Sequence, residues 1–295
     1  MKKKILWICI PLIILVIGYA NLTKKEDIKE KNVVATFYPV YISLINLTDG
    51  VNIQTYNLTQ NVTTCLHDYS LTTNQMASLE DASLVVMNGL HMEPFVDKIN
   101  STKIDTSINT NLLYNEHGEA NSHIYLDIDN YIVQTENICN GLINLDVDNM
   151  DKYNNNKTIF VDKLKDLKAE YNKEKENIKG TKVVIYNGAI EYITNMLDLN
   201  VIANLEFDHE NGLDSNKVID IIQKIKNEDV KYILVPNDYD RESINAIIDE
   251  ENVQVIELDL FIYGENSKEA YINTMTKNLQ NLKEIKNKGK YKWEK

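Results

Sequence analysis

The chain is 295 residues long and acidic, with 44 Asp and Glu against 31 Lys and Arg for a formal charge of −13. That balance argues against nucleic acid and anionic lipid as partners. Three cysteines exclude a disulfide framework, and an apolar fraction of 43% is enough for a sizeable core.

Lys2, Lys3 and Lys4 precede the apolar run Ile5 to Ile17 and then Gly18-Tyr19-Ala20, the order of an export signal with a small-x-small cleavage pattern. Residues 1–20 are therefore a signal peptide or an uncleaved signal anchor, since the run is only slightly shorter than a bilayer span. Cys9 lies inside the run and no cysteine follows a small-residue pair at its end, so tethering is expected through the helix rather than a lipidated cysteine. Loss of the segment takes the formal charge from −13 to −16 and leaves Cys65 and Cys139, expected as free thiols. A polar linker, 21–31, follows.

Asn32 to Phe37 is rich in β-branched residues and reads as a first buried strand. A helix over Val40 to Leu47 stops at Asp49-Gly50, and Val51 to Tyr56 resumes strand alternation. A polar loop carrying His67 comes next, then a helix over Asn74 to Glu80, a strand over Ser83 to Met87 and another helix over His91 to Ile99. Strands alternating with helices imply a mostly parallel sheet. After His123, Asp127 to Leu145 is helical, and a longer helix runs from Asn149 to Lys179. Its apolar residues Tyr153, Phe160, Leu164, Leu167, Tyr171 and Ile178 recur at helical spacing without an internal Gly or Pro, and Gly180 is a natural stop. A helix about 45 Å long exceeds what one domain needs, so it is expected to connect two.

The second half repeats the alternation of the first. Strands Lys182 to Tyr186, Val201 to Glu206, Lys231 to Val235 and Val253 to Leu258 are interleaved with helices Ala189 to Leu197, Ser215 to Lys226, Arg241 to Glu250 and Ser267 to Lys286. The expected organisation is an N-terminal α/β domain over 32–148, a connecting helix over 149–179 and a C-terminal α/β domain over 180–295. Ligands collect outside the carboxyl ends of parallel strands, where Asn187 and Asp259 lie.

A divalent transition metal takes imidazole nitrogens and carboxylate oxygens from several rigid elements, and His67, His123 and Asp259 are the candidates. Their wide separation leaves the bland alternatives open: hydrogen-bonded loop histidines and a strand-terminal cap. No Gly-x-Gly, Gly-Lys-Ser/Thr or Gly-x-Ser-x-Gly occurs, so nucleotide-dependent and serine-hydrolase chemistry find no support.

The order Val33-Val34-Ala35-Thr36-Phe37-Tyr38-Pro39, His67-Asp68-Tyr69, Asn88-Gly89 with Glu93-Pro94-Phe95-Val96-Asp97, and His123-Ile124-Tyr125-Leu126-Asp127 resembles the zinc/manganese solute-binding proteins of ABC importers, the cluster A-I family. The similarity continues through Asn187-Gly188-Ala189-Ile190-Glu191-Tyr192 and Ile256-Glu257-Leu258-Asp259. It implies two globular α/β domains with parallel sheets joined by one long rigid helix and a metal site in the cleft between them. It also implies a non-enzymatic, extracytoplasmic and membrane-tethered receptor that binds Zn²⁺ or Mn²⁺ as a monomer and passes it to an ABC permease with a separate ATPase.

Carried over by motif, His67, His123 and Asp259 are the family ligands, while the remaining position, usually His or Glu, falls at Asn187. An amide oxygen is a weak ligand, so Asn187 is expected to coordinate weakly or through water, with His209 or Glu210 as substitutes. The first motif lacks the family's prolines and glutamate, having Leu66, Ser70 and Thr72 there, and Cys65 is a minor soft-ligand alternative. The stretch Tyr114 to Ser122, where zinc members carry a histidine-rich loop, holds only His117, and His91 is expected in a capping or surface role. Zinc is slightly favoured over manganese because it wins most such sites on affinity. Two other readings compete: a metal-dependent hydrolase with water at Asn187 and Glu210 as base, and a degenerate member acting as an adhesin or interaction protein.

Overall fold

A computed structural model describes residues 31–60, 62, 66, 69–115, 117–205, 215–251 and 253–285. The first strand, β1 (Asn32–Ala35), is buried through Val33, Val34 and Ala35, the near-continuous apolar character of a central parallel strand. It is flanked by β2 (Gln54–Asn57), an edge strand of alternating exposure, and by β3 (Leu84–Met87), beyond which lies β4 (Lys103–Asp105). All three pairings are parallel, in the order β2-β1-β3-β4.

The second sheet follows the same plan. Its strands β5 (Lys182–Ile185), β6 (Asn200–Asn204), β7 (Tyr232–Pro236) and β8 (Gln254–Leu258) lie in the order β6-β5-β7-β8, again parallel throughout. In each sheet the order reverses direction between the two central strands, and the crevice at their carboxyl ends is where an open parallel sheet accepts a ligand.

The helices are α1 (Tyr38–Leu47), α2 (Thr73–Glu80), α3 (Ile128–Leu145), α4 (Met150–Ile178), α5 (Glu191–Met196), α6 (Ser215–Glu228), α7 (Arg241–Glu251) and α8 (Ala270–Leu282). Local chemistry sets several of their ends. Pro39 stands in the first turn of α1, where a missing N–H costs nothing. Thr72 and Gln75 form a reciprocal capping box at α2. Asp127 caps α3 by accepting from the Asn130 N–H at 2.9 Å, which gives the aspartate of the His-Ile-Tyr-Leu-Asp motif a structural role.

The long connector is α4, 29 residues or about 43 Å. Its buried stripe of Tyr153, Phe160, Leu164, Leu167, Tyr171 and Ile178 is the one that the periodicity indicates, with Val161 added. It packs on α1 and α3 of the first half and on α8 of the second, so both halves share its apolar face. Tyr171 donates to the Met275 carbonyl in α8 at 2.7 Å, while Tyr153 donates to Asp146 at 2.9 Å.

The halves also meet directly through aromatic rings. Tyr131 of α3 stacks on Tyr271 of α8 with centroids 3.8 Å apart and planes 14° apart, and Phe261 packs against both Tyr271 and Tyr38. Tyr271 donates to the Tyr125 carbonyl at 2.9 Å, and Tyr38 reaches the Glu265 carbonyl at 2.7 Å. One apolar cluster consequently runs through both halves.

Several expected elements differ. The second strand begins at Gln54 rather than Val51. The helix expected over His91 to Ile99 is only a 3-10 segment, Pro94–Lys98. Gly89, Leu90 and His91 all have positive φ, so the chain turns back on itself there instead of entering a helix. Gly89 cannot be replaced without displacement, since a Cβ would fall 2.1 Å from Asp105 Oδ1. Strand β4 has no counterpart among the expected elements, because three residues with a lysine and an aspartate carry no alternation to read. The final helix is shorter than its apolar pattern, starting at Ala270.

Candidate functional site

His123 follows a small antiparallel bridge, Tyr114 with Ala120, and precedes the 3-10 turn Ile124–Leu126. It is half-buried. Its backbone N–H and its Nδ1 both lie 3.0 Å from Asn121 Oδ1. One residue earlier, the Ser122 carbonyl accepts from Asn88 Nδ2 at 2.9 Å.

Asn88 belongs to a buried network at the carboxyl ends of β1 and β3. Glu93 accepts from the Asn88 N–H at 2.7 Å, the Gly89 N–H at 3.1 Å and the Thr36 hydroxyl at 2.7 Å. Gln134 of α3 donates to Asn88 Oδ1 and Thr106 Oγ1. Glu93 is 1% exposed, and this burial pushes its carboxyl up to about 7 despite the hydrogen bonds that favour the ionised form. The Asn88-Gly89…Glu93 motif thus braces the segment that carries His123.

Asn187 lies two residues beyond β5. Its backbone is extended, and its Oδ1 accepts from the Ala189 N–H at 3.2 Å, capping the short 3-10 turn Gly188–Ile190. Asp259 follows β8 directly. Its Oδ1 accepts from the Phe261 N–H at 2.8 Å, and Asn278 of α8 clamps its backbone N–H and carbonyl at 2.8 Å each. Burial raises the Asp259 carboxyl above the ordinary aspartate range.

His123 and Asn187 line one cavity of about 600 Å³ between the halves, together with Glu119, Asn121 and Glu191. Leu260 and Ile262, which follow Asp259 in the chain, form its apolar wall. Tyr114 stands at this cavity with 61% of its surface exposed. Among the described residues no group of three or more His, Cys, Asp or Glu converges as a metal cage. His67, Asp68 and Cys65, and the substitutes His209 and Glu210, lie outside the described residues. The base required by the hydrolase reading, Glu210, falls there too.

His91 is exposed in a left-handed conformation rather than capping a helix, and His117 is exposed at the turn of the Tyr114–Ala120 bridge. Cys139 is a free, buried thiol whose pKa is raised by desolvation, as expected of an inert core cysteine. Asn121 and Glu191 are the site residues that sequence reasoning missed. Each stands near a singled-out residue, Asn121 two before His123 and Glu191 four after Asn187, yet neutral amides and helix-start glutamates are too common to flag.

Comparison with known proteins supplies the context for this geometry. A manganese ABC transporter substrate-binding lipoprotein, PsaA of Streptococcus pneumoniae, is 22% identical over 243 residues, spanning 75% of this chain and 78% of the relative. The zinc-binding lipoprotein AdcA of Streptococcus pneumoniae (strain ATCC BAA-255 / R6) is 23% identical over 287 residues, 88% of this chain and 57% of the relative. Among solved structures, the solute-binding protein FpvC of Pseudomonas aeruginosa in complex with Ni²⁺ superposes with a TM-score of 0.78 at 22% identity, covering 90% of this chain and 99% of that one. Residues 33–285 match the family described as zinc-uptake complex component A, periplasmic, and the chain belongs to that family of ABC-importer metal-binding proteins.

Proposed function

We propose that this chain is an extracytoplasmic receptor that captures a divalent transition metal, with Zn²⁺ slightly favoured over Mn²⁺, and delivers it to an ABC permease driven by a separate ATPase. The observation that carries the reading is the cavity between the halves, where His123 of one half faces Asn187 of the other beside the Asp259 segment. His67, His123 and Asp259 are the ligands, and Asn187 contributes weakly or through water, with His209 or Glu210 as substitutes. Relatives named for manganese and for zinc support the ligand class and leave the choice to geometry and supply. The role is capture rather than turnover, by a monomer held at the membrane by its N-terminal apolar segment.

Titration of the purified full-length chain with Zn²⁺ and Mn²⁺ tests this. His67→Ala, His123→Ala and Asp259→Ala are each expected to weaken Zn²⁺ binding by at least tenfold, and Asn187→Ala by only a few-fold. Asn187→His, which supplies a stronger nitrogen ligand, is expected to tighten it. Unchanged affinity in both histidine variants would remove the site assignment. Because the imidazoles must be neutral to ligate, affinity is expected to fall as the pH drops below about 6.5.

A further inference from the structure

The side chain of Asn121 has a fixed orientation. Its Oδ1 lies 3.0 Å from the His123 backbone N–H, which only donates, and its Nδ2 lies 2.7 Å from the Gly188 carbonyl, which only accepts. The amide cannot be flipped without breaking both contacts. The His123 Nδ1, also 3.0 Å from the same Oδ1, must therefore carry a proton, and in the neutral ring the lone pair is on Nε2.

The partners of Asn121 come from both halves. Beyond Gly188, its Nδ2 lies 3.1 Å from Glu191 Oε2. Its backbone carbonyl accepts from the Tyr192 hydroxyl at 2.9 Å, and that hydroxyl in turn accepts from the Leu113 N–H at 3.1 Å. Tyr192 is 1% exposed, so this is a buried plug from the second half set into the loop of the first. The result is a short polar path, His123 to Asn121 to Gly188, which is the immediate neighbour of Asn187.

We infer that Asn121 is a positioning residue that makes the metal-binding presentation of His123 depend on contact between the two halves. The Asn121 Oδ1 holds the imidazole in one tautomer, and the Gly188, Glu191 and Tyr192 contacts from the other half hold Asn121 in place, so loss of those contacts loosens the loop that presents His123. A bound ion is expected to dissociate faster when those cross-half contacts are lost. This rests on His123 being a ligand.

Two measurements on the full-length chain test it. Nitrogen-detected NMR of the metal-free protein, with the His123 signal identified by its disappearance in His123→Ala, reads the tautomer directly. Chelator competition reads Zn²⁺ dissociation. Wild type is expected to show the Nδ1–H form, and Asn121→Ala a mixture, with dissociation faster by about ten- to a hundredfold, the range for loss of an outer-shell partner. Asn121→Asp keeps the acceptor for His123 but sets a carboxylate against Gly188 O and Glu191; the tautomer should persist while dissociation still accelerates. Should Asn121→Ala fail to fold, Asn121→Asp and Glu191→Ala carry the test, the latter being expected to speed release with the tautomer unchanged. An Asn121→Ala protein that melts like wild type, keeps the Nδ1–H form and releases Zn²⁺ at the wild-type rate overturns the inference. So does unaltered release in both other variants. If His123→Ala instead binds Zn²⁺ normally, the ligand assignment is what fails, and the metal-free tautomer still decides whether Asn121 orients the ring.

Discussion

Glu93 is a buried carboxylate whose proton affinity differs between folded and unfolded chain. Its folded pKa of about 7 lies above the roughly 4.3 of a solvated glutamate. Across that window the folded state retains a proton that the unfolded chain has lost, so this group's contribution to stability is largest at low pH and declines as pH rises towards 7. The full decline is roughly 4 kcal/mol, levelling off above 7. Urea unfolding at pH 5, 6, 7 and 8 is expected to show this slope in wild type and a flatter one in Glu93→Gln. At the same scale His123 is legible in the sequence because histidine is rare here and its motif is distinctive, whereas Asn121, which fixes the ring, is one of many asparagines. A neutral amide acquires its meaning only from the two backbone groups that face it.

Among the elements, α4 is the most legible from sequence and the 89–99 segment the least. The connector is long enough for its 3.6-residue period to repeat many times, so its bounds and buried face emerge from the pattern alone. The 89–99 segment has equally apolar residues, but three consecutive positive φ angles decide its path, and at its start the N–H groups of Asn88 and Gly89 go to the Glu93 side chain. Side chain to backbone bonding of this kind leaves no periodic trace. At the centre of α4 Leu164 is fully buried within the shared cluster, and Leu164→Ala is expected to cost about 2 to 5 kcal/mol, measured by chemical denaturation. The loss should appear as one shifted transition, since the cluster serves both halves.

For the molecule as a whole, the two sheets share one strand order, which follows from strand and helix alternation plus the right-handed crossover rule, and the cavity lies between the 114–123 segment of the first half and the strand ends of the second at Asn187, Asn204 and Leu260. The meeting of residues as distant as His123 and Asn187 at one cavity does not follow from alternation; only the family resemblance points to it ahead of the fold. A ligand joining both halves stabilises them together. Zn²⁺ at a hundred times its dissociation constant is expected to add about 2.7 kcal/mol, seen as a rise in melting temperature that a chelator reverses.

The Tyr131–Tyr271 stack, 3.8 Å between centroids and 14° from coplanar, joins α3 to α8 across the two halves. Both tryptophans, Trp7 and Trp293, lie outside the described residues, so among the described residues tyrosines supply most of the aromatic optical signal. Two phenol rings this close and this nearly parallel couple their electronic transitions, and the near-ultraviolet circular dichroism of the protein should carry an exciton contribution from the pair. Tyr131→Phe, which keeps the packing and removes one phenol chromophore, identifies that band by difference. Followed against temperature or permease concentration, its amplitude becomes an internal gauge of whether the halves are still touching.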